Sequence, residues 1–184
     1  MMRTFVEPLL AILMIAAPLL INTAQSQIQA SAGEQVKVTA RYHIENGSDQ
    51  GFLIAKLEIP EGSYVYSMTQ AKPLTPSKLA IKPSKEFVVG KTFKSDKKPK
   101  VVENDPLFQA RLEKHTGTVQ FYVPIRMANV KDLKTIQPEV TFSGQVCSDE
   151  GYCTPVKGII AKAKFAGFFE REAKNSVPPL QQRK

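Results

Sequence analysis

The sequence predicts an all-β protein, an antiparallel β-sandwich of about seven short strands. Two observations carry this prediction. Apolar and polar residues alternate with a period of two in several short segments. Clusters of glycine, proline, asparagine and aspartate separate these segments, and no stretch has the periodicity of a long helix.

The first strands lie in the N-terminal half of the chain. Residues 35–43 alternate strictly, with an apolar side chain at every second position, which predicts a half-buried strand. The turn residues of 46–51 lead into a second strand at 52–59, which a Pro-Glu-Gly run ends. A short aromatic strand is predicted at 63–67.

Prolines restrict the next stretch, where only an edge strand at 79–81 and a strand at 86–93 are expected. Residues 95–105 are polar and rich in lysine, which predicts a loop. The remaining strands are predicted at 118–125, 139–146 and 156–165.

This succession of strands and turns is typical of an immunoglobulin-like sandwich. The chain contains no tryptophan, and its two cysteines are too close in sequence to bridge two sheets. The Cys-Trp-Cys core of antibody domains is therefore not expected.

The N-terminus has the pattern of a secretory signal peptide. One arginine, Arg3, precedes an apolar run from Leu9 to Ile21, which is shorter than the roughly 20 residues that a spanning helix requires. The predicted organisation is a signal peptide at 1–26, a linker at 27–33, the domain at 34–168 and a disordered tail at 169–184. An uncleaved anchor is the alternative. Cleavage predicts a periplasmic or secreted domain, without stable membrane insertion, in which cysteines can be oxidised.

The formal net charge of +8 is concentrated in one segment. Residues 72–100 contain nine lysines against Glu86 and Asp96, a local balance of 9 − 2 = +7. Basic stretches can bind nucleic acid. Here the lysines are spaced out among prolines in an exported chain, which favours a solvated surface that protects sheet edges over nucleic-acid binding.

Metal-binding and hydrolytic sites are not expected. After signal removal, the candidate ligands are scattered without ligand spacing: His43, His115, Met68, Met127 and the two cysteines. His43 falls in a strand and His115 in a polar turn, so both are predicted to be surface histidines.

The two cysteines, Cys147 and Cys153, have five residues between them and flank a predicted turn. Strand neighbours place Cβ atoms near the separation that a disulfide needs. Closing so short a loop stabilises the fold by only about 2.4 kcal/mol, so a staple here is weak. The spacing alone nevertheless favours a structural disulfide in an exported domain. The intervening Asp149 and Glu150 raise the pKa of a nearby thiol. That effect predicts a thiol that reacts mainly when a partner docks. Exposed acids in a turn are explained equally well by solubility.

The stretch 143–155 resembles the active-site hairpin of the N-terminal periplasmic domain of the thiol:disulfide interchange protein DsbD. In that family a strand runs into a cysteine, and five residues with an acid, a glycine and an aromatic precede a second cysteine and a nearby proline. Residues 59–66 resemble the family's glycine-aromatic stretch ending in Tyr-x-Tyr. Residues 105–108, followed by Glu113 and 123–125, resemble its cap loop and next strand.

The resemblance, over residues 34–166, implies an immunoglobulin-like domain with a redox-active disulfide. Cys153 matches the cysteine that forms mixed disulfides with partners, and Cys147 matches the one that resolves them. Phe108 matches the aromatic tip of a cap loop that covers the disulfide until a partner displaces it. Tyr64 and Tyr66 match aromatics packed beside the pair.

The resemblance also implies partners. In that family a thioredoxin-like domain reduces the disulfide, which then passes electrons to oxidised periplasmic proteins with a thioredoxin fold. Nothing after Phe165 matches the family's membrane-spanning or thioredoxin-like parts, so the donor is expected on a separate chain. The activity expected is that of a protein-disulfide reductase component, without a cofactor. The alternative is a non-catalytic exported β-sandwich for binding or scaffolding, with a structural disulfide.

Overall fold

A computed structural model describes residues 36–128 and 130–170, and these form an all-β domain. The part of the chain so described contains one short 3₁₀ turn, Leu133–Thr135, and twelve strands. The strands are β1 Lys37–Glu45, β2 Gln50–Glu58, β3 Ser63–Tyr66, β4 Lys78–Ile81, β5 Phe87–Val89, β6 Lys94–Ser95, β7 Lys100–Asp105, β8 Ala110–His115, β9 Thr118–Met127, β10 Glu139–Ser148, β11 Cys153–Lys162 and β12 Lys164–Phe169.

The strands form two sheets, which confirms the predicted sandwich. The first sheet has the order β12-β1-β2-β9-β5, and β6 also pairs with β9. The second has the order β11-β10-β3-β8-β7, and β4 also pairs with β10. All pairs are antiparallel except β1 with β12, which is parallel.

The core lies between the sheets because each strand directs every second side chain inward. Tyr42, Leu53 and Val123 from neighbouring strands of the first sheet are fully buried in one cluster. Val65 and Phe142 of the second sheet join residues of β2 and β9 in another cluster. Each fully buried side chain of this size contributes about 1.5–3 kcal/mol of transfer free energy.

The prediction of a loop at 95–105 was wrong, because β7 occupies Lys100–Asp105. The segment 110–115 carried no strand prediction and forms β8. The segment 156–165 was predicted as one strand, but the chain changes sheets within it. β11 ends at Lys162 in the second sheet, and β12 begins at Lys164 beside β1.

The nine lysines between residues 72 and 100 are all exposed, which fits the predicted solvated surface. No helix among the described residues is long and apolar enough to cross a membrane. The predicted signal peptide, the predicted linker and residues 171–184 of the predicted tail lie outside the described residues. Phe169 lies in β12.

His115 was predicted at the surface, and this was wrong. Its side chain lies in β8 and is only 5% exposed, edge-on to Phe121 with 5.5 Å between ring centroids. Burial lowers the pKa of His115, because the charged imidazolium loses its hydration.

This burial predicts an acid-dependent loss of stability. The pKa of His115 is lower in the folded than in the unfolded protein, so its neutral form is favoured by folding. That contribution is complete above the unfolded pKa of about 6.5 and is lost as the pH falls toward the folded pKa. Urea unfolding between pH 7.5 and 5 should therefore show a shallower fall in the free energy of unfolding for His115→Leu than for the parent. Equal slopes would contradict the prediction.

Candidate active site

The cysteine pair closes the β10–β11 hairpin, as the sequence predicts. Cys147 and Cys153 are directly opposite in register and form a disulfide, with their Cα atoms 4.0 Å apart. Just beyond them, the Ser148 amide donates to the Tyr152 carbonyl at 2.8 Å. The bond therefore joins two strands that the hairpin already holds together.

The disulfide lies on the outer face of the second sheet. Val65 and Val146 belong to the core between the sheets. Because side chains alternate along a strand, Tyr64 and Cys147, which are paired in register, point away from that core. The cysteines therefore do not link the two sheets.

A separate apolar cluster encloses the disulfide on this outer face. Its buried members, none more than 2% exposed, are Tyr64, Tyr66, Leu112 and Cys147. The half-buried Leu74, Val102, Phe108 and Cys153 pack against them. Cys147 is 0% exposed, whereas Cys153 is partly accessible. The two cysteines thus differ in exposure, and Cys153 is the more accessible residue.

The 105–109 loop, which runs from the last residue of β7 to the start of β8, covers this cluster. The Asp105 carboxylate accepts hydrogen bonds from the amides of Leu107 (3.0 Å) and Phe108 (3.2 Å), which fixes the turn. Phe108 packs into the cluster, and Leu107 lies against the hairpin tip. At Gly151, where φ is +93°, a Cβ would lie 3.0 Å from Leu107 Cδ1, so glycine permits both the turn and the close approach.

Two tyrosines lie beside the sulfurs. The Tyr66 hydroxyl is 3.8 Å from Cys153 Sγ, and because a disulfide sulfur carries no proton, the hydroxyl is the donor. The ring centroids of Tyr64 and Tyr66 are 5.6 Å apart in an edge-on arrangement. Burial is the largest of the effects that raise the pKa of both phenols, so both remain protonated at neutral pH.

The structure brings together all five residues that the sequence singled out: Cys147, Cys153, Phe108, Tyr64 and Tyr66. It also adds residues that the sequence did not indicate. Gln70, 6% exposed, donates to the Arg111 carbonyl (2.9 Å) and accepts from the Glu113 amide (2.6 Å), so it pairs with β8 beyond the end of β3. Lys114 of β8 contacts both Tyr64 and the hairpin tip.

Outside the disulfide cluster, the described residues offer little basis for a metal or ligand site. Among residues 36–128 and 130–170, no group of three histidine, cysteine or acidic side chains is placed to hold a metal ion. An open cleft of about 520 Å³ is lined by Ile44, Val88, Arg126 and Leu133, among others. None of the residues that line this cleft belongs to the disulfide cluster.

No family model and no curated protein matches this chain. Solved structures that resemble it include the N-terminal periplasmic domain of ScsB from Proteus mirabilis. That match has a TM-score of 0.49 and 9% identity, and covers 71% of this chain and 46% of the ScsB chain. This chain therefore spans less than half the length of that structure.

The N-terminal domain of DsbD from Neisseria meningitidis, solved in the reduced form, is another neighbour. Its TM-score is 0.41 at 16% identity, with 69% of this chain and 83% of that chain covered. A complex between the DsbD and PilB N-terminal domains of the same organism matches with a TM-score of 0.42 and 15% identity, over 68% and 80% of the two chains. The domain that the cysteine hairpin resembles in sequence is thus also among the structural neighbours.

Proposed function

We propose that this chain is an exported thiol:disulfide exchange module. It accepts electrons from a thioredoxin-like donor and reduces disulfides of thioredoxin-fold acceptors in the periplasm. The observation that carries the proposal is the position of the Cys147–Cys153 disulfide, on the outer face of a sheet beneath a short loop.

The position argues against a role in stability alone. The bond neither links the two sheets nor closes a long loop, so its entropic stabilisation is only about 2.4 kcal/mol. A domain of this size buries a core large enough to fold without a crosslink. A removable apolar cover is what a bond needs when it must be protected from solvent but open to partners.

The two cysteines take different roles because their exposure differs. In the reduced protein, the accessible Cys153 attacks one sulfur of a partner's disulfide as a thiolate, and the partner's other sulfur leaves as a thiolate that takes up a proton. The buried Cys147, on losing its proton, then attacks Cys153 Sγ. This step closes the intramolecular bond and releases the partner's remaining sulfur as a thiolate. Two electrons pass to the partner, and a thioredoxin-like dithiol restores the starting state.

The surroundings of Cys153 suit this chemistry. The Tyr66 hydroxyl, protonated and 3.8 Å from Sγ, is placed to donate a hydrogen bond to the thiolate. Two large side chains at the rim of the site are exposed, Leu107 at 60% and Tyr152 at 72%. Apolar side chains beside a reactive bond provide a surface on which a partner protein can dock.

The reduction potential tests the proposal against a structural disulfide. Oxidised protein is incubated with reduced thioredoxin under native conditions, and free thiols are quantified. We expect the pair to equilibrate, with a potential above about −300 mV. Reduced Cys147→Ala protein should also form a mixed disulfide with oxidised thioredoxin through Cys153. A disulfide that persists after prolonged incubation would favour the structural role instead.

A further inference from the structure

Lys114 lies on the same outer face as the disulfide. It is directly opposite Tyr66 in the β3–β8 register, and two positions from the buried Leu112. Its side chain is only 14% exposed, which is rare for a lysine without a specific partner. The fold therefore holds the Lys114 side chain in a specific, largely buried position.

Two contacts account for this burial. The Lys114 Nζ is 4.3 Å from the centroid of the Tyr64 ring, within the range of a cation–π interaction. It is also 3.2 Å from the Asp149 carboxylate, whose side chain is 67% exposed at the hairpin tip. Since Tyr64 is opposite Cys147 in register, Lys114 connects β8, the aromatic pair and the turn that separates the cysteines.

Because charged side chains surround the disulfide, the contacts of Lys114 also affect the electrostatics of the site. Asp149 and Glu150 lie in the turn between the cysteines, and Asp105 is the last residue of β7. Besides burial, the charges of Asp105 and Asp149 raise the pKa of Tyr64 beside the disulfide, so both carboxylates act on this cluster. Carboxylates near a thiol disfavour its thiolate. Lys100 is opposite Lys114 in the β7–β8 register, but it is exposed. Lys114 is the cation that the described structure places against both the hairpin tip and Tyr64.

We propose that Lys114 is a positioning residue for thiol exchange: it holds the hairpin tip against Tyr64 and offsets the Asp149 charge, so that the Cys153 thiolate forms more readily. Lys114 acts through these neighbours, and no contact between its ammonium and either sulfur is required. The inference rests on the proposed function, but it concerns the reactivity of Cys153 alone.

The test measures the Cys153 thiol in the reduced Cys147→Ala background, without any partner. The rate of alkylation by iodoacetamide is followed against pH, which gives the thiol pKa. Lys114→Met is expected to raise this pKa by about 0.5 to 1 unit, a three- to tenfold loss of thiolate at pH 7. Lys114→Arg should keep the parent value. Lys100→Met, the control, removes an exposed lysine on the neighbouring strand and should change the pKa much less.

Asp149→Asn gives an independent result, because this exposed side chain can change without disturbing the core. It should lower the thiol pKa when Lys114 is present, and should bring the pKa of Lys114→Met back toward the parent value. If Lys114→Met does not fold, Lys114→Gln, which removes the same charge but keeps a polar side chain, replaces it. An unchanged pKa in the charge-removing variant of Lys114, or an equal shift in Lys100→Met, would overturn the inference. Failure to exchange with thioredoxin would overturn the proposed function and leave these pKa shifts measurable.

Discussion

The single-cysteine variants are expected to differ in alkylation rate by about a hundredfold. Cys153, left alone in Cys147→Ala, is partly accessible and should react with iodoacetamide in the folded protein. Cys147, left alone in Cys153→Ala, is 0% exposed. Iodoacetamide can therefore alkylate it only when the cluster around it opens locally. Opening that costs about 3 kcal/mol corresponds to a rate about a hundredfold lower.

The measurement is the second-order rate constant of each variant at the same pH. The same comparison in 6 M urea serves as control, because both thiols should then react at similar rates. Equal rates in the folded proteins would show that both sulfurs are reached equally easily. The assignment of Cys153 as the attacking thiol would then have no basis in access.

Removing the aromatic ring of Phe108 should make the disulfide easier to reduce. Phe108→Ala is expected to increase the rate of reduction by dithiothreitol about tenfold, because the ring packs against the cluster that contains both sulfurs and a small dithiol needs access to them. The free energy of unfolding should fall by about 2 kcal/mol, less than for a fully buried phenylalanine, since the side chain is half-buried.

Phe168→Ala is the matched control. Phe168 is 60% exposed on β12, where it packs against Phe165 and not in the disulfide cluster. This variant loses the same atoms but should be reduced at the parent rate. If Phe108→Ala is reduced no faster than Phe168→Ala, the 105–109 loop does not control access to the bond.

The sequence predicted the parts of the fold in which apolar residues alternate clearly. Residues 139–146 and the cysteine loop became β10 and the hairpin tip, because Val140, Phe142 and Val146 lie on one face of a strand. Phe108, Tyr64 and Tyr66 were indicated by a family resemblance. The structure shows that they share one cluster with the cysteines.

β7 and β8 could not be predicted in the same way. Within 110–115, Leu112 and His115 face opposite sides of the strand. Arg111, Glu113 and Lys114 are charged, so the segment has a polar sequence pattern. Its burial depends on contacts made far along the chain. In the assembled second sheet, Lys114 contacts Asp149, and Gln70 donates to the β8 backbone.

The passage of the chain from β11 to β12 restricts how the site can respond to oxidation and reduction. β11 begins at Cys153 and is paired with β10 along its length, and after Ala163 the chain continues as the edge strand that pairs with β1. The segment carrying Cys153 is therefore anchored in one sheet and tethered to the other. Peeling this strand away would disrupt both layers of the sandwich. We therefore expect a partner to reach the sulfurs by displacing the short 105–109 loop, with the hairpin itself remaining in place during exchange.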